Sequence, residues 1–107
     1  MSVLDQLTEV LEQRKSQDAE LSYVATLHSR GLNKILEKVG EEATEVILAA
    51  KDARSDPAQT AGVVKETADL WFHTMVMLGE LGLSAQDVLD ELAGRFGVGG
   101  HEEKASR

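Results

Sequence analysis

The sequence predicts an all-α bundle, and three observations carry that prediction. Apolar residues recur at three- and four-residue spacings, which suit one face of a helix and not a pleated strand. Strand-favouring runs are scarce, since aromatic residues make up only 4% and β-branched residues seldom cluster. The places where the apolar stripes stop carry helix punctuation, namely Gly31, Pro57, Gly82 and Ser84. With 107 residues, 42% of them hydrophobic, the chain is expected to form one domain around one modest core. That domain is read as residues 1–107, with 97–107 as a polar tail.

Each element has its own reason. Val3, Leu4, Leu7, Val10 and Leu11 fall on one stripe and predict a first amphipathic helix. Polar residues from Gln13 to Glu20 break it, with Ser16 to Asp18 as loop. Tyr23, Val24 and Leu27 form a short helical piece that stops at Gly31, a residue free to adopt the left-handed backbone at helix ends. A long helix follows from about Asn33 to Asp52, its apolar sector set by Ile35, Val39, Ala43, Val46, Ile47 and Ala50. Ser55-Asp56-Pro57 makes a turn, because Pro fixes its own backbone and biases the residue before it out of the helix.

The second long helix runs from about Val63 to Leu81 and is apolar around most of its circumference. Such a helix is buried on more than one side. In so short a chain, that predicts partner helices from a second subunit, a bundle completed by dimerisation. Trp71 and Phe72, flanked by Leu70 and Met75, read as core residues. Ser84 with Asp87 resembles a capping box opening a last helix, which carries Val88, Leu89, Leu92 and Phe96.

Composition excludes several classes of function. There is no Cys, so no disulfide scaffold, thiolate metal site or Cys nucleophile exists. Nineteen acidic against eleven basic residues give a net charge of -8, which argues against binding duplex nucleic acid. No apolar run approaches the roughly 20 residues that span a bilayer, and the first residues lack a secretory pattern. A cytoplasmic protein without membrane partners is expected.

The chemistry lies in two acidic motifs. Glu41, Glu42 and Glu45 read EExxE, and Glu66 and Asp69 read ExxD one helix later. Glu66, Asp69, His73 and Glu80 fall on one narrow stripe amid apolar neighbours. If the two helices form an antiparallel hairpin, four or five carboxylates converge in one cleft. Two unit charges about 4 Å apart repel by about 4 kcal/mol at an effective dielectric of about 20. Such a cluster takes up protons or a divalent cation, and an all-oxygen donor set favours Mg²⁺.

EExxE by itself is more often a solvated helix face, and pairing with Lys34, Lys38, Lys51 or Lys65 is the structural alternative. An acidic stripe within an otherwise apolar helix moves the balance slightly toward metal binding, because burying unpaired charge is costly.

EExxE, 20 intervening residues and then ExxD is similar to the pattern of the MazG-like all-α nucleoside triphosphate pyrophosphatases. The words around it are more specific. SYVATLHSRGLNKILEKVGEEATEVILAAKD, ETADLWFHTMVML, LGLSAQDVLDEL and the terminal EEKASR resemble the phosphoribosyl-ATP pyrophosphohydrolase family of histidine biosynthesis, from about Ser22 to the end.

The resemblance implies a MazG-like helical homodimer that hydrolyses 1-(5-phosphoribosyl)-ATP to 1-(5-phosphoribosyl)-AMP and pyrophosphate, with Mg²⁺. It implies Glu42, Glu45, Glu66 and Asp69 as metal ligands, with Glu41 a further ligand or base, so that Glu41 or Glu45 takes the proton from water. Lys38, Lys51, Lys104 and Arg107 are the expected partners of substrate phosphates. His73 either meets a phosphate or is a core histidine bonded to a neighbour. Tyr23, with Ser22, is expected along the phosphoribosyl pocket. Two rival readings are a housecleaning pyrophosphatase for non-standard nucleotides and a non-catalytic acidic interaction module.

Overall fold

A computed structural model describes residues 2–96. Within them the fold is all-α, with α1 at Val3–Lys15, α2 at Tyr23–Arg30, α3 at Leu32–Ser55, α4 at Thr60–Glu80 and α5 at Ala85–Gly94. The expected tail residues 97–107, including Lys104 and Arg107, lie outside the described residues.

Local chemistry sets the helix ends. The Ser2 hydroxyl accepts the Asp5 N–H at 3.1 Å while the Asp5 carboxylate accepts the Ser2 N–H at 3.2 Å, a reciprocal cap on α1. The Ser22 hydroxyl accepts the Ala25 N–H at 3.3 Å and starts α2. Gly31 at φ 93° ends α2 and directly begins α3, a backbone conformation that L side chains rarely adopt. At the tip of the long hairpin, the Asp56 carboxylate accepts the Ala58 N–H at 3.0 Å, and Pro57 opens one short 3₁₀ turn, Pro57–Gln59. Asp87 accepts the Ser84 N–H at 2.9 Å and starts α5, as the capping pattern predicts.

The α3–α4 hairpin is the frame, and the core forms where α1, α2 and α5 pack against one end of it. Leu11, Val24, Leu27, Ile35, Met75, Val76 and Ala85 are the buried members, with Leu4, Leu7, Phe72 and Met77 packed around them. Two polar links tie the last turn of α4 to the helices beside it. Lys15 Nζ donates to the Gly79 carbonyl at 2.8 Å, and His28 Nδ1 contacts Glu80 Oε2. The far end of the hairpin, residues 54–62, is exposed throughout. The radius of gyration is 16.1 Å, against about 13 Å for a compact chain of this length.

Four sequence expectations need correction. The face of α3 turned toward α4 runs through Ile35, Val39, Glu42, Val46, Ala49 and Ala53, a seam that repeats every seven residues, while Ile47 is 62% exposed and Ala50 also faces out. The hydrophobic wheel misses this because a carboxylate holds a seam position. Trp71, expected in the core, is 59% exposed, since it points away from α3. Glu80 shares the acidic stripe of α4 but sits 14 residues from Glu66, about 21 Å along the axis, and contacts His28 instead. Phe96 lies beyond the end of α5 and is exposed.

Candidate active site

Three carboxylates meet across the hairpin. Glu42 on α3 and Glu66 and Asp69 on α4 each place one oxygen within 4.8 Å of the others. Antiparallel packing brings Glu42 opposite the first half of α4, and the three-residue step from Glu66 to Asp69 puts both on the facing side. All three are partly buried, so their mutual repulsion is screened less than it would be in bulk water.

Around them sits a ring of polar groups from α2, α3 and α4. Lys38 Nζ lies 2.9 Å from Glu41 Oε2 and 3.8 Å from Glu42 Oε1, on the flank of α3 that borders the cluster. That hydrogen bond pushes the Lys38 amine above its ordinary pKa and holds the Glu41 carboxyl below the usual carboxylate range. Glu45 is exposed one turn beyond Glu42 and lies outside the three-carboxylate group. Lys51 is exposed farther along α3, nine residues from Glu42.

His73 is buried one turn after Asp69, and both its ring nitrogens are engaged. Nδ1 lies 2.8 Å from the Asp69 carbonyl and Nε2 lies 2.8 Å from the Tyr23 hydroxyl. A carbonyl only accepts, so Nδ1 carries a proton; in the neutral ring Nε2 then accepts from Tyr23 O–H. Of the two readings the sequence leaves for His73, this geometry matches the bonded core histidine and offers no free nitrogen to a phosphate.

Tyr23 is 50% exposed and forms a wall of the cleft, its ring stacked on Phe72 at 6.3 Å between centroids. Burial of the hydroxyl raises the Tyr23 pKa, the nearby Lys38 opposes that rise, and Glu42, Glu41 and Asp69 add to it. Phe72 was expected only as core; its adjacency to His73 on α4 is the signal that places it behind Tyr23. The loop side of that wall opens into a groove of about 500 Å³ bounded by α1 and α2.

An all-α fold with carboxylates on a hairpin seam accords with a hydrolase of phosphoanhydrides, and the family match establishes that class. Residues 4–96 match the family model of phosphoribosyl-ATP pyrophosphohydrolase, and the chain belongs to that family. It is therefore a phosphoribosyl-ATP diphosphatase, a hydrolase of histidine biosynthesis acting on a small molecule. Among the described residues no helix is long and apolar enough to cross a membrane.

Proposed function

We propose that the chain, as a single domain in a cytoplasmic homodimer, releases pyrophosphate from 1-(5-phosphoribosyl)-ATP with Mg²⁺ held by Glu42, Glu66 and Asp69. The observation that carries this reading is the convergence of those three carboxylates from two helices. Their chemistry fits the ion. Mg²⁺ takes hard oxygen ligands, and three carboxylate oxygens within 4.8 Å of one another are donors of that kind. When bound, the ion supplies positive charge to the triphosphate and acidifies a water.

The protein's own groups divide the remaining work. Glu45 takes the proton from the attacking water, because it has no ion pair among the described residues and stands one turn from Glu42. Glu41 is the weaker base, since the hydrogen bond from Lys38 stabilises its charged form. Lys38 offsets part of the cluster's negative charge and faces the cleft that the triphosphate enters. Tyr23 keeps its proton through the neutral range, so the bond to His73 persists and its ring stays as the wall. Lys51, and Lys104 and Arg107 beyond the described residues, complete the cations assigned to substrate phosphates.

The homodimer is supported by bare apolar surface. Trp71, Val88, Leu89 and Leu92 line an apolar groove of about 370 Å³ along α4 and α5, and Val64, Ile47 and Leu48 are more than half exposed on the hairpin. An apolar surface of that kind marks an interface.

Pyrophosphate release is the assay, with dCTP, dUTP and ITP run beside phosphoribosyl-ATP. The expected result is a strict Mg²⁺ requirement, preference for phosphoribosyl-ATP, and loss of both turnover and Mg²⁺-dependent thermal stabilisation in Glu42→Gln. Undiminished turnover in Glu42→Gln, or in chelator, removes the metal assignment. Preference for dCTP, dUTP or ITP replaces this substrate with the housecleaning reading.

A further inference from the structure

Phosphoribosyl-ATP differs from ATP by one arm, a ribose 5-phosphate attached to the purine. Carboxylates and a metal that grip the triphosphate treat the two nucleotides alike. Discrimination has to come from groups that meet the arm and are left unpaired when it is missing. A phosphate dianion calls for a cation, and the forked guanidinium of Arg matches it best.

The cations of the described residues sort by what they already hold. Lys38 is engaged by Glu41 and Glu42, Lys34 by Glu37, Arg95 by Glu91, and Lys15 by the Gly79 carbonyl. Arg14, at the end of α1, makes no side-chain hydrogen bond or ion pair among the described residues, and neither do Arg30, Lys51, Arg54 and Lys65. Of these five, Arg14 is the one that borders a groove beside Tyr23. It lines the groove behind Tyr23, together with Gln17, Leu21, Ser22 and Phe72. At about 500 Å³, the groove falls within the roughly 300–1,000 Å³ of small-molecule sites.

Groove and acidic cluster share one wall. The Tyr23 hydroxyl is tied to His73, its ring is stacked on Phe72, and the charges of Lys38, Glu42 and Asp69 reach it from the cluster side. Leu21 is 85% exposed on the same groove, an apolar group that a bound sugar would cover.

We infer that this groove receives the ribose 5-phosphate arm, with Arg14 taking the phosphate and the stacked Tyr23 and Phe72 rings flanking the ribose. The inference deepens the function proposed above and rests on it. It makes Arg14 a specificity-determining residue, contributed by a helix with no part in the carboxylate cluster.

The test compares Arg14→Ala and Arg14→Lys on phosphoribosyl-ATP and on ATP. For Arg14→Ala, the KM for phosphoribosyl-ATP should rise roughly tenfold or more, with kcat falling far less and the KM for ATP moving least. Arg14→Lys should recover part of the loss, because it restores the charge without the fork. An unchanged KM for phosphoribosyl-ATP, or equal losses on both nucleotides, overturns the assignment.

Ribose 5-phosphate alone, titrated into isotope-labelled protein, reads the groove independently of catalysis. Shifts of Arg14 and Tyr23 resonances that vanish in Arg14→Ala support the subsite, and their absence at millimolar ligand refutes it. If wild-type protein released no pyrophosphate from phosphoribosyl-ATP, the functional reading would fall; the titration would still decide what the groove binds.

Discussion

The two sides of α4 are built to opposite specifications. Stepping about 100° per residue, Glu66, Asp69 and His73 share the side turned to α3, while Val64 and Trp71 lie roughly 150° away. The inner side places charge where water is partly excluded, and the outer side leaves 59% of Trp71 and 70% of Val64 in solvent. Neither is what stability of a lone chain favours. The inner side makes sense if a cation and an anionic substrate join it. The outer side makes sense if a second copy covers it. On the function proposed above, the contrast makes one helix incomplete in two different ways.

The largest expected effect breaks the inner side. Asp69→Asn keeps shape and removes charge, so hydrolysis should fall roughly a hundredfold or more while the circular dichroism spectrum stays helical. Full pyrophosphate release by that variant would make the acidic side ordinary surface. Next comes the outer side. Trp71→Glu places a charge on the bare apolar face and should shift sedimentation from dimer to monomer at micromolar protein. A wild-type chain that already sediments as a monomer erases the contrast.

A smaller effect sharpens it. Without metal, neutralising one of three crowded carboxylates relieves repulsion, so Glu66→Gln should raise the melting temperature in chelator, by the equivalent of about 1 kcal/mol. Adding Mg²⁺ should reverse the order, because the wild type alone gains full ion-binding stabilisation. Thermal scans with and without the ion check both signs.

The smallest effect belongs to the rim pair of Lys38 and Glu41. The Glu41 carboxyl is depressed by its hydrogen bond with Lys38, so its contribution is present above the unfolded carboxylate value and is lost as pH falls through the folded one. Lys38 is raised, so its contribution holds below the unfolded lysine value and fades as pH rises through the folded one. Between those limits the pair is pH-independent. Lys38→Met should therefore narrow the melting-temperature gap between pH 6 and acid slightly, and leave the neutral plateau flat.

How far the sequence was legible follows from the same contrast. Helix ends were readable because their causes are local: Gly31, Pro57 and the Ser84–Asp87 box act within a turn of themselves. A meeting of carboxylates across the hairpin was legible in the spacing on each helix and the turn at Pro57, but the sequence offered Glu41, Glu42, Glu45, Glu66 and Asp69 and did not single out the three that meet.

The orientation of α3 was not readable. A wheel that weighs only apolar residues turns Ile47 inward and leaves Glu42 at the border, whereas the packed seam takes Glu42 in. Trp71 was misplaced because periodicity marks a side chain as leaving water without saying whether its own chain or a partner receives it. The contacts of His73 with Tyr23 and of Glu80 with His28 join residues 50 and 52 positions apart, beyond the reach of any local pattern.

The single-residue joint at Gly31 has a consequence for how this chain tolerates change in length. With no slack between α2 and α3, inserting one residue there turns one helix against the other by about 100°. The Tyr23 ring would then swing off His73 and away from Lys38, and wall and carboxylates would no longer share a cleft. The exposed tip around Asp56 can take extra residues, since nothing buried depends on its register. Drift in length should thus gather at the tip, while the Gly31 joint keeps its count.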